Sequence, residues 1–514
     1  MSTPLSRSRA ITCGVLSAGA GMAIGHLVAA VTDPAASPVL AVGSAVINRT
    51  PTPLKDWAIS HFGTHDKLIL LSSVSVATLV LAGATGLIYR RTRIGGLLAQ
   101  LVLVVVAGLA LLTLPTLGVR NLGPTVVTEI VAAAVLVGLP RAGAVGRRFS
   151  APDSAVSNAG NTRRAFLAGA GGVAVVAAGS AVLGNRLGQA PDTSKIALPT
   201  AADPLPTLPA GLERKYRGIS PLRTPNSSFY RVDTNLTVPN VRQDTWSLRV
   251  DGDVDHPFTL TYEDLLRMPL VERDITMTCV SNAVGGSYVG AARWLGVRVS
   301  DLLKRAGVQE PDRPGRQVLS TSVDGFTIST PLGALTDNRD ALLAIGMNGE
   351  ALPRKHGFPA RLVTPGLYGM VGSTKWVTRL HVTTYPEAKA YWTNRGWATD
   401  AKIKPSARID TPSPLAQLDK GSVIVGGVAW AQQEGVVRVQ VKIDDEAWQG
   451  AALGPDVNVD YWRQWYFVWH ASKSGEHTLQ SRVVYGDGTV QTAERVPVFP
   501  DGSSGIQNLV VTVK

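Results

Sequence analysis

Long apolar segments fill the first third of the chain, and shorter segments with alternating apolar and polar residues fill the rest. A helix needs ~20 mostly apolar residues to cross the hydrocarbon core of a membrane. Five segments approach this length, and we expect a membrane span at each: about 11–31, 66–88, 94–115, 123–139 and 165–186. The fourth is the weakest, because it is short and carries Glu129. The pattern therefore predicts an N-terminal α-helical membrane region over residues 1–186.

Arginine clusters beside these segments indicate how the chain crosses the membrane. Cytoplasmic loops of membrane proteins carry an excess of Lys and Arg. The clusters precede the first span, follow the second and lie between the fourth and fifth: Arg7, Arg9, Arg90, Arg91, Arg93, Arg141, Arg147, Arg148, Arg163 and Arg164. With these clusters inside, five crossings place everything after residue 187 on the extracytoplasmic side. We therefore expect a multi-pass protein of the cell membrane, with membrane lipid as a partner.

The pair Arg163-Arg164, followed by Phe166 and Leu167, has two interpretations. Two arginines before a Gly/Ala-rich apolar run resemble a twin-arginine export signal embedded in the chain. The same pair serves equally well as the positive flank of a span. Because both interpretations export the residues that follow, the sequence leaves open whether the motif is used.

The residues after the spans predict a linker and then a mixed domain. Residues 187–215 are rich in Pro, Ala and Thr, which is typical of a stiffened tether. In residues 216–400, the stretch from WSLRVDG to DITMTC predicts strand, turn, strand, short helix and strand, and RQVLSTSVDGFTISTPL predicts a pair of strands. Because strands and helices do not alternate regularly, we expect an α+β domain and not a doubly wound sheet.

Residues 401–514 show a different texture, in which alternating strands are separated by turn signals. Examples are GSVIVGGVAWA, VVRVQVKIDD, RQWYFVWHA and NLVVTVK, with DDEAW and YGDGT as tight turns. About a hundred residues of this kind predict an antiparallel β-sandwich of immunoglobulin type. The Cys pair of antibody domains is absent, so the prediction concerns architecture alone.

Composition narrows the possible functions. The 514 residues include 50 Lys and Arg against 38 Asp and Glu, a net charge of +12. Much of this excess lies in short runs beside apolar segments, which favours membrane topology over nucleic-acid binding. The two cysteines, Cys13 and Cys279, exclude a disulfide framework. Neither a GxxxxGK[ST] loop nor a GxGxxG after a strand is present, so no phosphate-cradling nucleotide loop is predicted.

Cys279, in ITMTCVSN, is a lone thiol in the folded part of the chain, and three roles compete for it. An isolated cysteine is often a small buried hydrophobe. A nucleophilic cysteine needs a base, and the sequence alone cannot bring to it any of the available histidines: His256, His356, His381, His470 and His477. A thiolate can also be the single protein ligand of a metal that an organic cofactor carries. Zinc needs three or four ligands, and no such Cys/His cluster is present.

A series of motifs resembles the sulfite-oxidase-like family. ERDITMTCVSN is similar to the molybdenum-binding strand of that family, and GVRVSDLLKRAGV to the helix that follows it. GMNGEALPRKHGFPARLVTPGLYGMVGSTKWVTRLHVTT resembles the segment that grips the pterin and its phosphate. TPNSSFYRVDTNLTVP and WSLRVDGDVDHPFTLTYEDLL resemble the upstream segments, and GVAWA with WRQWYFVWHA resembles the immunoglobulin-like dimerisation domain. The motifs follow the family's order over about residues 220–514.

This resemblance implies a molybdopterin cofactor, Mo-molybdopterin, with Cys279 as the protein ligand of the metal. The pterin phosphate needs cations and backbone N–H donors, which the GLYGMVGSTK segment and its neighbours supply. The implied cofactor-binding residues are Tyr230, Arg231, Asp324, His356, Arg361, Gly372, Ser373, Thr374 and Lys375. The implied catalytic residues are Cys279, Asn282 and Trp397. VDGF around Asp324 is equally typical of a hairpin turn.

The chain departs from the family where arginines hold a dianionic substrate. Ala283 and Val284 occupy the places of arginines shortly after the cysteine, and Trp397 occupies the place of the active-site tyrosine. A pocket without those cations stabilises sulfite poorly, so the substrate and the reaction direction stay open. Arg231 and Arg395 are the residues able to compensate.

We expect a membrane-anchored molybdopterin-dependent oxidoreductase that transfers an oxygen atom to or from a small substrate outside the cytoplasm. Its partners are then a small oxygen-atom donor or acceptor and an unidentified electron-transfer protein, with no nucleic acid; the C-terminal domain allows a homodimer. No CxxCH haem motif is present, and His26, His61 and His65 leave haem in the membrane region open. The alternative is a non-catalytic cell-surface binding protein built on an empty sulfite-oxidase-like scaffold.

Overall fold

The chain folds into two compact units. The computed structural model describes residues 5–51, 54, 57–58, 61–62, 66–114, 117–145, 155–188, 192–310 and 313–514. The first unit comprises Met1–Pro191 with Asp233–Asn240, and the second comprises Asp192–Val232 with Val241–Lys514. His65, Arg147 and Arg148 lie outside the described residues.

The first unit is helical. Its α-helices are α1 (Arg7–Thr32), α2 (Pro38–Arg49), α3 (Asp66–Arg91), α4 (Arg93–Leu112), α5 (Gly123–Val145) and α6 (Ala155–Leu187). Among the described residues, five helical stretches are long and apolar enough to cross a membrane: Arg7–Thr32, Lys67–Arg91, Arg93–Leu112, Val119–Arg141 and Arg163–Leu187. The expectation of five apolar helices is confirmed, including the fourth, which carries Glu129.

Small residues allow α1 and α3 to approach closely. A Cβ atom added at Gly14 would lie 2.0 Å from the Ala82 carbonyl oxygen, and one added at Gly86 would lie 2.0 Å from that of Ala10. Close approach through glycine is typical of helix packing within membranes, where the hydrophobic effect does not drive helices together. The Gly/Ala-rich composition of the first apolar segment therefore has a packing role.

His26 on α1 is held by polar side chains of the same unit. Its Nδ1 atom lies 3.1 Å from Ser37 Oγ, and its Nε2 atom lies 3.0 Å from Asn185 Oδ1. Both ring nitrogens are therefore engaged in hydrogen bonds, which favours a packing role for His26 over coordination of a haem iron.

The first part of the second unit contains two sheets with short helices between the strands. Its strands are β1 (Ser247–Gly252), β2 (Phe258–Thr261), β3 (Val271–Thr278), β4 (Val289–Arg298), β5 (Arg316–Ser322), β6 (Thr327–Pro331), β7 (Leu342–Met347), β8 (Glu350–Ala351), β9 (Arg361–Val363) and β10 (Val377–Thr384). Its helices are α7 (Tyr262–Arg267), α8 (Val299–Arg305), α9 (Leu332–Thr336) and α10 (Gly369–Gly372).

One sheet has the order β2-β1-β10-β5-β6, and the other has the order β3-β4-β7-β8, with β9 also paired to β7. The pair β1–β10 is parallel, and the other pairs in both sheets are antiparallel. The prediction of an α+β arrangement is confirmed. The local order strand, turn, strand, helix, strand is confirmed as well, with Thr261 capping α7 through the backbone N–H of Asp264.

Residues 202–205 of the Pro/Ala-rich segment lie beside the start of β3. Ala202 N–H donates to the Leu270 carbonyl at 2.7 Å, and Leu205 N–H donates to Glu272 Oε2 at 2.8 Å. From Asp192 onwards the segment belongs to the second unit. The boundaries that the sequence predicts at residues 187, 216 and 401 stay predictions.

The C-terminal part of the second unit is β-rich. Its strands are β11 (Ser406–Thr411), β12 (Gln417–Leu418), β13 (Gly421–Trp430), β14 (Val436–Ile443), β15 (Gln449–Gly450), β16 (Ala452–Leu453), β17 (Arg463–Ala471), β18 (Gly475–Tyr485), β19 (Thr489–Val490) and β20 (Gln507–Val513). They form the sheets β11-β13-β17-β16 and β12-β20-β18-β14-β15, which share one core that includes Val425, Trp465 and Val483. The short pair β12–β20 is parallel, which the alternation of apolar residues does not reveal. The immunoglobulin type stays a prediction.

A buried ion pair joins β3 to β4. Asp274 and Arg293 face each other across the two strands, with side chains 3% and 13% exposed. Arg293 Nε donates to Asp274 Oδ1 at 2.9 Å, and Nη2 donates to Oδ2 at 2.7 Å. A two-pronged bond of this kind fixes the register of the strand that ends at Cys279.

We expect Asp274→Asn to lower the free energy of unfolding by about 3 kcal/mol, because it removes the carboxylate that accepts two hydrogen bonds from a largely buried guanidinium and leaves only Glu272, 3.7 Å from Arg293 Nη1. Urea unfolding of the detergent-solubilised chain, followed by tryptophan fluorescence, measures this change. Every tryptophan except Trp57 lies in the second unit.

The matched control is Asp244→Asn, which removes a carboxylate from an exposed pair with Arg242, whose side chains are 55% and 71% exposed. Exposed pairs contribute little to stability, so this variant should unfold like the unchanged chain. Equal unfolding midpoints for the two variants would contradict the role assigned to the buried pair.

Candidate functional site

Cys279 lies at the end of β3, where the chain enters a loop of residues 279–288. Its N–H donates to the Tyr288 carbonyl at 2.9 Å, and its own carbonyl accepts from Asn282 N–H at 3.0 Å. The side-chain Oδ1 of Asn282 accepts a hydrogen bond from Tyr288 N–H at 2.8 Å. These bonds close the loop and fix the backbone from which the Cys279 side chain projects.

The Cys279 thiol is buried, with 9% of the residue exposed. Burial raises the pKa of this thiol, and hydrogen bonds with Ser281 act in the opposite direction. A thiol in such surroundings stays protonated at neutral pH unless a cation or a metal stabilises the thiolate. Among the described residues no hydrogen bond joins it to a histidine, so the geometry does not favour a Cys–His nucleophile.

Tyr230 lies near the end of β3, because a Cβ atom added at Gly369 would lie 3.8 Å from the Tyr230 hydroxyl and 3.9 Å from the Thr278 carbonyl oxygen. Burial raises the pKa of the Tyr230 hydroxyl, the Cys279 thiol adds to this effect, and the Arg361 guanidinium opposes it. Because such effects weaken with distance, the Tyr230 hydroxyl lies near the Cys279 thiol and near the Arg361 guanidinium. The ring of Tyr230 stacks on that of Phe229 with centroids 5.3 Å apart. The neighbouring Arg231 is exposed.

His356 ends a short 3-10 turn, Arg354–His356, and Gly357 follows in the left-handed region with a φ of 116°. The imidazole is 1% exposed, and its Nε2 lies 2.9 Å from the Asn226 carbonyl oxygen. Since a carbonyl oxygen only accepts, Nε2 carries the proton. Burial, with smaller effects from nearby cations, lowers the pKa of His356 to about 4. The ring is therefore neutral near pH 7, and Nδ1 is a hydrogen-bond acceptor.

Arg361, the first residue of β9, is a buried cation. It is 5% exposed, its Nη1 donates to the His356 carbonyl at 3.0 Å, and its guanidinium lies 5.1 Å from the ring centroid of Trp294. Burial lowers the pKa of Arg361 to about 10, and Tyr230 opposes that shift, so the group keeps its charge near pH 7. Among the described residues it contacts no carboxylate. A buried charge of this kind calls for an anion.

The segment 369–375 adds polar atoms beside Arg361. Ser373 is 7% exposed, and its Oγ atom is buried with no hydrogen-bond partner among the described residues. Lys375 Nζ donates to the Val232 carbonyl at 3.2 Å. Gly357 brings the cations together, because a Cβ atom added there would lie 3.0 Å from Arg361 Cβ and 3.1 Å from Lys375 Cβ.

Several expected site residues have other contacts. Thr374 is fully buried, and its Oγ1 bonds to Ser320 Oγ in the core. Asp324 lies in the β5–β6 hairpin turn, where its Oδ1 accepts from Phe326 N–H at 3.1 Å. The expected hairpin is thus confirmed, and whether Asp324 also serves the cofactor stays a prediction.

Trp397 packs against other aromatic rings. Its centroid lies 5.9 Å from that of Trp392 and 5.2 Å from that of Phe499. Its Nε1 atom is buried with no partner among the described residues. Gly372 ends α10 and packs tightly, because a Cβ atom there would lie 2.8 Å from Thr364 Cβ.

Sequence reasoning missed residues that bear on the pocket. Tyr288 closes the Cys279 loop through its backbone, and Asn226 sets the tautomer of His356 through its carbonyl. Backbone contacts leave no trace in residue type, so no pattern could have found these two. Tyr368 lies near the thiol, since burial and then Asp501 and Cys279 raise the pKa of its hydroxyl to about 12. Tyr368 lies in GLYGM, a segment that carries the family resemblance, and this position was the signal that could have identified it.

The site therefore offers one soft ligand at one end and a charged, polar cradle at the other. Among the described residues no group of three or more His, Cys, Asp or Glu could hold a metal ion alone. The unpaired Ser373 Oγ and the Arg361 cation fit a group that ends in a phosphate, and Cys279 fits a metal whose other ligands the same group supplies. These residues fit a molybdopterin cofactor.

Comparison with known proteins agrees with this geometry. The family described as "Oxidoreductase molybdopterin binding domain" matches residues 235–392. Sulfite oxidase of Rattus norvegicus is 30% identical over 321 residues, covering 54% of this chain and 58% of that protein. Sulfite oxidase of Homo sapiens is 31% identical over 304 residues, covering 50% of this chain and 55% of that protein. The chain thus spans little more than half the length of these two relatives.

Among solved structures, the sulfane dehydrogenase SoxCD from Paracoccus pantotrophus aligns with a TM-score of 0.49 and 25% identity, covering 57% of this chain and 83% of that one. The family match and the sulfite oxidases carry the assignment. The chain thus carries an oxidoreductase molybdopterin binding domain over residues 235–392 and is similar to sulfite oxidases, which implies molybdenum-bearing molybdopterin as the cofactor.

Proposed function

We propose that this chain is a membrane-anchored oxidoreductase that transfers an oxygen atom to or from a small substrate on the extracytoplasmic side. The observation that carries the proposal is that the Tyr230 hydroxyl lies near both the buried Cys279 thiol and the buried Arg361 cation, which has no carboxylate partner among the described residues. A thiol ligand and an anion site in one pocket match the two ends of a phosphorylated metal cofactor.

Different side chains bind the metal end and the phosphate end of the cofactor in this proposal. Cys279 is the ligand that meets the metal, and the closed loop of residues 279–288 keeps its backbone in place. Arg361, Lys375 and Ser373 hold the phosphate, while neutral His356 accepts a hydrogen bond at Nδ1 from the pterin. When bound, the molybdenum cofactor supplies a centre that changes oxidation state by two electrons, which oxygen-atom transfer requires.

The remaining expected residues have supporting roles in this proposal. Asn282 holds the Cys279 loop, and Tyr230 and Arg231 border the cofactor. The backbone N–H groups of Ser373 and Thr374 would face the phosphate, whereas the N–H of Gly372 donates to the Tyr368 carbonyl at 3.1 Å. Trp397 replaces a tyrosine near the substrate. An electron-transfer protein restores the starting oxidation state, and the C-terminal region offers a surface for a homodimer.

The substrate pocket carries less positive charge than the family pattern predicts. Ala283 and Val284 bring no charge to the loop after Cys279. Arg395, expected to compensate, donates to the Tyr391 carbonyl at 2.8 Å, and its guanidinium lies 3.5 Å from the centroid of the Tyr391 ring. This engagement favours a small oxygen-atom donor or acceptor with less negative charge than sulfite.

Membrane anchoring and orientation are part of the same proposal. The five apolar helices and the arginine clusters support an N-terminus in the cytoplasm and the second unit outside. A C-terminal reporter enzyme that works only outside the cytoplasm measures this orientation. Activity of a cytoplasm-restricted reporter at the same position would contradict it.

The central test is Cys279→Ser in the full-length chain, produced in a host that makes molybdopterin. A hydroxyl is a harder and weaker ligand than a thiolate, so turnover of a sulfoxide or of sulfite should fall by at least ~100-fold while the pterin stays bound. Elemental analysis, pterin fluorescence and turnover are measured on the same samples.

The control is Arg361→Met, which removes the cation and keeps an apolar side chain. This variant should lose pterin as well as turnover, because the phosphate loses its buried charge partner. If the wild-type chain from the same host contains no molybdenum, the result favours the alternative, a non-catalytic cell-surface binding protein. Undiminished turnover in Cys279→Ser would refute the role of the thiol.

The buried, neutral His356 predicts a pH dependence of stability. Burial lowers the pKa of His356 from 6.5 to about 4 in the folded chain, so the unfolded chain binds a proton first as the pH falls. The free energy of unfolding should therefore decline between pH 6.5 and 4, and His356→Gln should remove that part of the decline. Urea unfolding at pH 7 and pH 5, followed by tryptophan fluorescence, measures it.

His477 is a control of opposite sign. Burial lowers the pKa of His477, but its hydrogen bonds with Asp444 and with the Lys473 carbonyl outweigh burial and raise the pKa overall. A raised pKa adds stability below pH 6.5 that is lost at higher pH, so His477→Gln should lose more stability at pH 5 than at pH 7. The same pH response in both variants would show that His356 is not held neutral.

A further inference from the structure

β3 lies at the edge of its sheet, so one side of the strand that leads to Cys279 has no neighbouring strand. In an antiparallel edge strand, every second residue points its N–H and C=O away from the partner strand. Near the start of β3, the backbone of Glu272 faces residues 202–205, and its N–H donates to the Asp203 carbonyl at 3.1 Å. The end of β3, next to Cys279, is covered by a different part of the chain.

Residues of the β-rich C-terminal region cover that end. Thr276 N–H donates to the Asp460 carbonyl at 2.9 Å, and Trp462 N–H donates to Thr276 Oγ1 at 2.8 Å. Gln432 Nε2 donates both to the Thr276 carbonyl and, at 3.1 Å, to the Asp460 carbonyl. The segment 458–462 thus covers the outer edge of β3 through one backbone bond and several side-chain bonds, and the Gln432 amide joins the two.

The same region holds the loop that follows Cys279. Ser503 Oγ donates to the Asn282 carbonyl at 2.7 Å, and Arg408 Nη1 donates to the Gly286 carbonyl at 3.0 Å. Gln507 also packs against Gly285, where an added Cβ atom would lie 2.9 Å from its Cδ. The loop is therefore tied from outside at more than one point.

Apolar packing joins the two parts as well. Val280, the residue after Cys279, is 4% exposed and belongs to a hydrophobic cluster that includes Trp430 and Trp462. The backbone on both sides of the thiol is thus fixed by groups from residues 401–514, several tens of residues beyond the sheet that carries Cys279.

We propose that Gln432 and the segment 458–462 are positioning elements for Cys279. They complete the open edge of β3 and hold the thiol where the cofactor's metal meets it. The inference rests on the proposed function, in which Cys279 is that metal's ligand. It gives the C-terminal region a part in building the site, in addition to any part in joining two copies.

The experiment uses Gln432→Leu in the full-length chain. When this variant is loaded with cofactor, the pterin should stay bound, because the phosphate site does not involve Gln432. The absorption band of the metal–thiolate bond should shift or disappear. Molybdenum per chain, pterin per chain and the absorption spectrum are recorded together.

A second readout needs no cofactor. The same variant is produced in a host that lacks molybdopterin, in a Cys13→Ala background, and Cys279 is labelled with a thiol reagent under native conditions. Loss of the amide's two hydrogen bonds should raise the labelling rate roughly tenfold, because the edge of β3 opens more often. Ser503→Ala, which removes a single bond to the loop, is the milder second variant and should raise the rate less.

The matched control is Gln491→Leu. Gln491 is a buried glutamine whose amide bonds only within the C-terminal region, to Ala407, Val483 and Gly505. It should destabilise that region while leaving the labelling rate and the absorption band as they are. Unfolding midpoints show whether the two glutamine variants are equally stable.

The outcomes separate this inference from the proposed function. If Gln432→Leu and Ser503→Ala both show the labelling rate and the absorption band of the wild-type chain, the positioning role is overturned, even if the wild-type chain holds molybdenum. An equal rise in Gln491→Leu would overturn it too, since the effect would then be general loosening. A chain without molybdenum would instead refute the proposed function, whatever the labelling shows.

Discussion

A positive charge buried without a negative partner is the constraint on which the site depends. Elsewhere in the second unit, buried arginines are neutralised: Arg293 by Asp274 at 2.7 Å, Arg316 by Asp253 at 2.7 Å and Arg408 by Asp410 at 2.6 Å. Arg361 is buried as deeply, yet among the described residues it contacts carbonyl oxygens and a ring. The other buried arginines of this unit have carboxylate partners, and Arg361 has none among the described residues. This position therefore favours the binding of an anion.

The sulfur end of the site is built on a different principle from the charged end. The charged end is local, since Gly357 brings Arg361 and Lys375 side by side within one short stretch of chain. The sulfur end depends on distant parts, because β3 is an edge strand whose outer side is completed by other segments. The proposed ligand of the metal is thus held by more of the chain than the proposed anchor of the pterin phosphate.

Local features of this fold could be predicted from the sequence, and pairings between distant segments could not. The hairpin around Asp324 and the order of elements from β1 to β3 follow from alternation and turn residues, which act over a few positions. The lone Cys279 and the order of the motifs predicted where the site lies. The direction of Thr374, whose hydroxyl bonds to Ser320 in the core, depends on neighbours that alternation does not specify. The cover of β3 combines one backbone bond, from Thr276 N–H to the Asp460 carbonyl, with bonds from the side chains of Gln432 and Asn458, whose partners on β3 lie 156 and 184 positions away in the chain.

The parallel pair β1–β10 has a consequence for how the chain is assembled in time. β1 is the first strand of its sheet, but the strand that joins it to β5 is β10, about 130 positions later in the chain. Contacts between such distant segments form slowly, since a long loop must close first. During synthesis, the pairs β1–β2 and β5–β6 can form early, but they are joined only when β10 emerges, and the outer edge of β3 stays uncovered until residues near 460 follow. The surroundings of Cys279 are therefore complete only after almost the whole polypeptide has left the ribosome.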